Sequence, residues 1–122
     1  MLFCLTAEYT PQALTAMREN PTTNRAEATS QLLEAAGGKL VSFYGRVNNG
    51  PGAMVIFEID PAHAPAVLSL AVSSDSIQNA KMERLLTQDE IVATRRKAAE
   101  LRGAYNQPGQ SLIERGAEPS AP

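Results

Sequence analysis

The sequence of 122 residues predicts a single α+β domain, a four-stranded antiparallel sheet with helices on one face. Three observations support this class. Short runs rich in β-forming residues alternate with helical apolar stripes, and clusters of Gly, Pro and Asn separate the two kinds of segment. In addition, 43% of the residues are hydrophobic, which is enough for a packed core in a chain of this length.

The first part of the chain predicts a strand followed by a broken helix. Residues 2–8 are rich in β-formers. Thr10 then precedes Pro11, the usual order of an N-cap and a first helical residue. A proline interrupts the helical pattern, and Asn24 is placed to cap a second segment. One broken helix, or two short helices, therefore fills positions 11–36.

The centre of the chain predicts a hairpin, a helix and a further strand. The two strands span residues 39–47 and 53–59. The Asn-Asn-Gly-Pro-Gly stretch between them is typical of a turn, so we expect the strands to pair as an antiparallel hairpin. Asp60-Pro61 is interpreted as a cap and first-turn pair, which opens a helix that ends at about Val72. Residues 78–86 are ambiguous by periodicity, and we assign them to a strand because a fourth strand completes the sheet.

A last helix is predicted from the capping box at Thr87–Glu90 to about Arg102. Beyond it, Pro, Gly and Ser dominate without a sustained period. We therefore expect a domain over residues 1–103 and an irregular tail over residues 104–122. The order is β-α-β-β-α-β, then a helix and a tail, which is the ferredoxin-like arrangement.

Strand alternation separates the two faces of the predicted sheet. The residues expected to meet the helices are Phe3, Leu5, Ala7, Val41, Phe43, Val47, Ala53, Val55, Phe57 and Ile59. Those expected on the helix-free face are Leu2, Cys4, Thr6, Glu8, Leu40, Ser42, Tyr44, Arg46, Met54, Ile56 and Glu58. This second set mixes apolar and polar side chains, as interfaces and ligand grooves do. We therefore expect the protein to associate with itself, most simply as a two-fold dimer.

The polar residues of the helix-free face are the candidates for a ligand-binding site or a subunit interface: Thr6, Glu8, Ser42, Tyr44, Arg46 and Glu58. Arg46 beside Tyr44 suits a carboxylate or an enolate-like oxygen. Alternatively, Arg46 pairs with Glu58 across the hairpin and Tyr44 packs in an interface. A catalytic role for Glu58 as a general base would need burial that raises its pKa.

Other features restrict the function. A net charge of −2 gives no electrostatic case for nucleic acid or an anionic membrane as a partner. The single histidine, His63, is expected to be exposed at a helix start, and the single cysteine, Cys4, to be a packed thiol. No metal-ligand spacing exists, so we expect neither metal nor cofactor. One cysteine and the absence of a signal-peptide pattern or a long apolar stretch favour the cytoplasm.

Residues 1–92 resemble the GYD domain family. The segments that carry the resemblance are NRAEATSQLLEAAGGKLVSFY (24–44), MVIFEID (54–60) and ERLLTQDEI (83–91). The resemblance implies a small bacterial or archaeal protein of uncharacterised function, with a ferredoxin-like fold of the dimeric α+β-barrel type. One departure stands out, because Gly50-Pro51-Gly52 occupies the place of the family's Gly-Tyr-Asp turn. An activity that used those Tyr and Asp side chains would be lost or altered here.

Three functional hypotheses follow. The first is an oligomeric protein that binds a small molecule on the helix-free face. The second is a cofactor-independent enzyme, by analogy with the small monooxygenases and isomerases of the dimeric α+β-barrel type. The third is a structural subunit of an assembly. The first two require an enclosed cavity that touches Tyr44, Arg46 and Glu58, whereas the third fills this face with partner side chains.

Overall fold

The computed structural model describes residues 1–109, which fall into two compact units, the first over Met1–Leu85 and the second beginning at Leu86. Most of the predicted tail, over residues 104–122, lies outside the described residues. The first unit contains seven elements: β1 (Leu2–Tyr9), α1 (Pro11–Glu19), α2 (Arg25–Ala35), β2 (Lys39–Arg46), β3 (Gly52–Glu58), α3 (Ala64–Val72) and β4 (Ile77–Leu85).

The sheet has the strand order β2-β3-β1-β4, and each neighbouring pair is antiparallel. This is the predicted ferredoxin-like arrangement, an α+β fold. The assignment of residues 78–86 to a strand is confirmed, because β4 pairs with β1 along most of its length. The central hairpin is also confirmed, with β2 on one edge of the sheet.

Side-chain caps explain where the first helices begin. The Thr10 hydroxyl oxygen accepts a hydrogen bond of 3.2 Å from the Ala13 amide, at the start of α1. The Asn24 side chain accepts one of 2.9 Å from the Glu27 amide, at the start of α2. Of the two predicted alternatives, one broken helix or two short helices, the second is confirmed.

The start of α3 differs from the prediction. The Asp60 carboxylate accepts a hydrogen bond of 2.9 Å from the Ala62 amide, and the His63 amide donates one of 2.8 Å to the Asp60 carbonyl. These bonds close a turn, so α3 begins at Ala64 and not at Pro61. The interpretation of Asp60-Pro61 as a cap and first-turn pair was wrong, because the Asp60 side chain stabilises a turn more directly than a helix start.

The core lies between the sheet and the helices α2 and α3. Its buried residues are Phe3, Leu5, Ala7, Leu33, Ala53, Val55, Phe57, Ile59, Ala64 and Val67. The alternation predicted for the first and third strands is thus confirmed. The rings of Phe3 and Phe57 stack with their centroids 5.9 Å apart, which joins β1 to β3 at the centre of the core.

The alternation predicted for the second strand was partly wrong. Leu40 is opposite Phe57 and Ser42 is opposite Ile56, so the register shifts at Val41. This extra residue is a β-bulge, and it reverses the faces of the residues before it. Leu40 therefore packs against the core together with Phe43, whereas Val41 is 51% exposed. Val47 lies beyond the end of β2 and is 98% exposed.

The second unit contains α4 (Gln88–Leu101) and a short 3-10 helix (Arg102–Ala104). The capping box predicted at its start is confirmed. The Glu90 amide donates to the Thr87 hydroxyl at 3.2 Å, and the Thr87 amide donates to the Glu90 carboxylate at 2.9 Å. Within residues 1–109, none of the helices has both the length and the apolar character needed to cross a membrane.

Candidate ligand-binding cavity

The sheet face turned away from α2 and α3 is called the distal face below. Directly opposed residues of neighbouring strands share a face, so the register defines its members. They are Leu2, Cys4, Thr6, Glu8, Lys39, Ser42, Tyr44, Arg46, Met54, Ile56, Glu58, Gln78, Lys81, Glu83 and Leu85. Five of the six candidate residues lie along neighbouring rows of this face.

One of these rows joins Tyr44 to Thr6. Tyr44 of β2 is opposite Met54 of β3, which in turn is opposite Thr6 of β1. Ser42 lies one row further along, opposite Ile56. Tyr44 is 60% exposed, so its row presents hydroxyl groups and apolar surface to any molecule that contacts the face.

The row on the other side of Tyr44 from Ser42 joins Arg46 to Glu8 across a glycine. Arg46 is opposite Gly52, and Gly52 is opposite Glu8. Gly52 has no side chain, so β3 itself places none between Arg46 and Glu8 in this row. Arg46 and Glu8 therefore share one end of the distal face with Tyr44.

Glu58 is not part of this group. It is opposite Lys39, at the other end of the hairpin from Arg46. Glu58 lies six positions along β3 from Gly52, the partner of Arg46, and six positions of strand span about 20 Å. The suggested ion pair between Arg46 and Glu58 was therefore wrong.

The Gly50-Pro51-Gly52 turn is held tightly against the end of β1. A Cβ atom on Gly52 would collide with the Ala7 carbonyl oxygen, and one on Gly50 would lie 2.6 Å from a Glu8 carboxylate oxygen. The Pro51 carbonyl accepts a hydrogen bond of 2.9 Å from the Tyr9 amide. The turn that replaces Gly-Tyr-Asp thus fixes the backbone of the last residues of β1.

A cavity of about 230 Å³ lies on the opposite side of the sheet, between its core face and the helices α2 and α3. We call it the core cavity. Its apolar lining consists of Leu5, Ala7, Ala28, Leu32, Leu33, Phe43, Ala53, Val55, Phe57, Val67, Leu70, Ala71 and Ile77. The candidate residues of the distal face take no part in it.

The polar residues of the core cavity are Tyr9, Arg25, Thr29, Ser74 and Ser76. Tyr9 ends β1, Arg25 begins α2, and the two serines lie in the turn between α3 and β4. The Thr10 amide donates to the Ser76 carbonyl at 3.0 Å, which ties this turn to the end of β1. Three separate parts of the chain therefore bring these polar groups together.

Burial affects the acid–base chemistry of Tyr9. Desolvation raises the pKa of its phenol, and the positive charge of Arg25 opposes this rise. The phenol is therefore protonated at neutral pH and is available as a hydrogen-bond donor. The Arg25 guanidinium therefore lies close enough to Tyr9 to act on its phenol electrostatically.

The residues singled out for nucleophilic or metal chemistry lie elsewhere. Burial raises the pKa of the Cys4 thiol, and the negative charge of Glu83 raises it further, as expected for a packed thiol. His63 is exposed at the start of α3, as predicted, and its ring Nδ1 is 3.2 Å from the Ala36 carbonyl oxygen. Residues 1–109 contain no group of three or more His, Cys, Asp or Glu side chains that could hold a metal ion.

The sequence comparison agrees with the fold. The sequence model described as the GYD domain matches residues 3–94. The chain belongs to the GYD domain family. The function of this family is uncharacterised, so membership establishes the fold of the GYD-domain protein but no ligand or reaction. A comparison with curated proteins gives no match.

A solved structure supports the same fold. The GYD-domain protein is similar to the crystal structure of 30S ribosomal protein S6 from Thermotoga maritima, with a TM-score of 0.53 and 15% sequence identity. The similarity covers 80% of this chain and 96% of the ribosomal protein. At this identity the likeness concerns the ferredoxin-like fold alone.

Proposed function

We propose that this GYD-domain protein binds a small, largely apolar molecule in the core cavity. The cavity itself supports the proposal, because small-molecule sites are concave, mostly apolar and furnished with a few orienting polar groups. Its volume of about 230 Å³ exceeds the roughly 150 Å³ of an engineered apolar cavity that binds benzene. A bicyclic aromatic molecule is therefore a suitable size class.

This location differs from the one predicted from the sequence. The sequence pointed to the helix-free face, whereas the core cavity lies on the helix side of the sheet. Its chemistry favours binding over acid–base catalysis. The described lining residues include no carboxylate, imidazole, amine or thiol, and the Tyr9 phenol is the one proton-transfer group among them.

The proposal is tested by filling the cavity. Ala71 of α3 lines the core cavity, and Ala66 of the same helix is exposed and outside it. We expect Ala71→Leu to weaken binding of the neutral probe 2-naphthamide by about tenfold, because the added atoms occupy the space that the ring would fill. Ala66→Leu is the control for the same change in helix propensity and should leave the affinity unchanged.

Isothermal titration calorimetry measures both affinities, and thermal unfolding of each variant checks that it is folded. Absence of 2-naphthamide binding to the wild-type protein would refute the proposal. An equal loss of affinity in both variants would place the probe somewhere other than the core cavity.

We also propose that the protein associates with itself through the distal face. Several apolar residues of this face are partly exposed, namely Leu2, Met54, Ile56 and Leu85, and Tyr44 stands beside them. A contiguous set of this kind is typical of an interface. A particle of twice the chain mass of 13.0 kDa in solution would support a dimer.

The charges of the distal face suit contact with a second copy. Three are positive and three negative: Lys39, Arg46, Lys81, Glu8, Glu58 and Glu83. Two copies that meet across a two-fold axis therefore bring no net charge of one sign together, and opposite charges are available for pairing.

A further inference from the structure

A second cavity, of about 260 Å³, lies beneath α1 and adjoins the core cavity. Its lining comes mainly from α1 and from the segment that leads into α2, and includes Ala13, Met17, Asn20 and Thr23. Tyr9, Arg25 and Ser76 line both cavities. These three residues, called the junction below, therefore stand where the two spaces meet.

Each junction residue offers a hydrogen-bond donor. The Tyr9 phenol and the Ser76 hydroxyl each carry one, and the guanidinium of Arg25 carries five in a planar fork. The Ser76 hydroxyl makes a long bond of 3.4 Å to the Ser74 carbonyl, so its geometry leaves room for a better acceptor. Hydrogen-bond donors that line a cavity together with a cation are the usual chemistry of an anion site.

The charge balance at the junction favours a monoanion. Arg25 supplies the one formal charge among the described residues that line either cavity, and no acidic side chain lines them. The lining itself therefore does not neutralise the guanidinium. A planar carboxylate matches the fork of an arginine in two parallel hydrogen bonds, and its single negative charge balances the single positive one.

We propose that the junction binds the carboxylate of an apolar acid whose hydrocarbon or aromatic part fills the core cavity. The inference rests on the proposed function, because the apolar part must occupy that cavity. It adds the ligand class, namely aromatic or compact aliphatic monocarboxylates. It also assigns roles: Arg25 pairs with the carboxylate, and the Tyr9 and Ser76 hydroxyls donate to its oxygens.

The test compares two probes of nearly equal shape, 2-naphthoate and 2-naphthamide, by isothermal titration calorimetry on the full chain. The wild-type protein should bind 2-naphthoate at least about tenfold more tightly, because a hydrogen-bonded ion pair is added to the same apolar contact. Arg25→Gln should abolish this preference and leave the affinity for 2-naphthamide unchanged. Tyr9→Phe should weaken the binding of 2-naphthoate severalfold and that of 2-naphthamide to a smaller extent.

Arg18→Gln is the matched control. Arg18 lies on α1, is exposed and lines neither cavity, so its loss changes the net charge equally without touching the junction. It should preserve the preference for the carboxylate. If long-range attraction were responsible, both arginine variants would lower the preference to the same extent, and the inference would be overturned.

The outcomes separate the inference from the proposed function. Equal affinities of the wild-type protein for the two probes would overturn the proposal that the junction binds a carboxylate, and would leave the proposed binding in the core cavity intact. If Arg25→Gln lowered the affinities for both probes equally, the proposed role of the junction would likewise be overturned. Absence of 2-naphthamide binding to the wild-type protein would remove the proposed function, and with it the inference that rests on it.

Discussion

Cys4 illustrates how the distal face acts on a single residue. It lies on β1 opposite Glu83 of β4, and both burial and this negative charge raise the pKa of the thiol. The thiolate is the reactive form of cysteine. At mildly alkaline pH the folded protein should therefore react with iodoacetamide more slowly than the unfolded chain.

The charge contribution can be isolated with one substitution. Glu83→Gln removes the negative charge next to Cys4, so the pKa of the thiol falls and alkylation at pH 8.5 becomes faster. Glu34→Gln, on the exposed side of α2, is the control and should leave the rate unchanged. Equal rates in wild type and Glu83→Gln would mean that burial alone protects the thiol. The reaction is followed by mass spectrometry of the intact chain.

Among the structural elements, β3 depends closely on its first residue, Gly52. The Ala7 carbonyl occupies the space that a side chain at Gly52 would need. We expect Gly52→Ala to lower the free energy of unfolding by about 1–3 kcal/mol, because the backbones of β1 and β3 must separate to admit a methyl group. Urea denaturation measures the change.

Gly45 provides the control on the neighbouring strand. It lies one residue before the end of β2, and a Cβ atom there would have nothing within 4 Å. Gly45→Ala should be neutral or stabilise the fold by up to about 1 kcal/mol, since it reduces the freedom of the unfolded chain. An equal loss of stability in the two variants would contradict the role of close packing at Gly52.

Local signals predicted most of the elements. Thr10, Asn24 and Thr87 cap helices as the sequence indicates, because these side chains reach amides only three residues away. The alternation of β1 and β3 was also predicted correctly. The error at Leu40 and Val41 has a physical cause, since a bulge inserts one residue without altering the composition of the strand.

The core cavity was not predicted, because it depends on how far α2 and α3 stand from the sheet. That spacing arises from packing between distant segments and leaves no periodic trace in the sequence. The one signal available was Tyr9, which the alternation of β1 places on the same side as Phe3, Leu5 and Ala7. The grouping of Thr6, Glu8, Ser42, Tyr44 and Arg46, by contrast, follows from alternation and hairpin pairing.

At the scale of the whole molecule, self-association is tested at Tyr44. Tyr44→Glu puts a carboxylate into the proposed interface, where two copies meet across the symmetry axis. We expect the dissociation constant of the dimer to rise at least about tenfold, because a new charge must lose water on contact. Sedimentation velocity measures the change.

Tyr105 supplies a matched control, since it is exposed to a similar degree, 62% against 60%, and lies outside the sheet. Tyr105→Glu should leave the dissociation constant unchanged. A wild-type protein that sediments as a monomer at high micromolar concentration would contradict the proposed interface.

The two bulges of the sheet affect whether another chain could pair with its edge strands. β2 and β4 form the sheet edges, and each carries an extra residue, at Val41 and near Asn79. Asn79 also has a positive φ of 52°, which twists β4 further. An irregular, twisted border is a poor template for continuous main-chain hydrogen bonding by another chain. Open-ended growth of the sheet into fibres is thereby disfavoured, whereas the proposed dimer, formed through side chains of the distal face, does not depend on these edges.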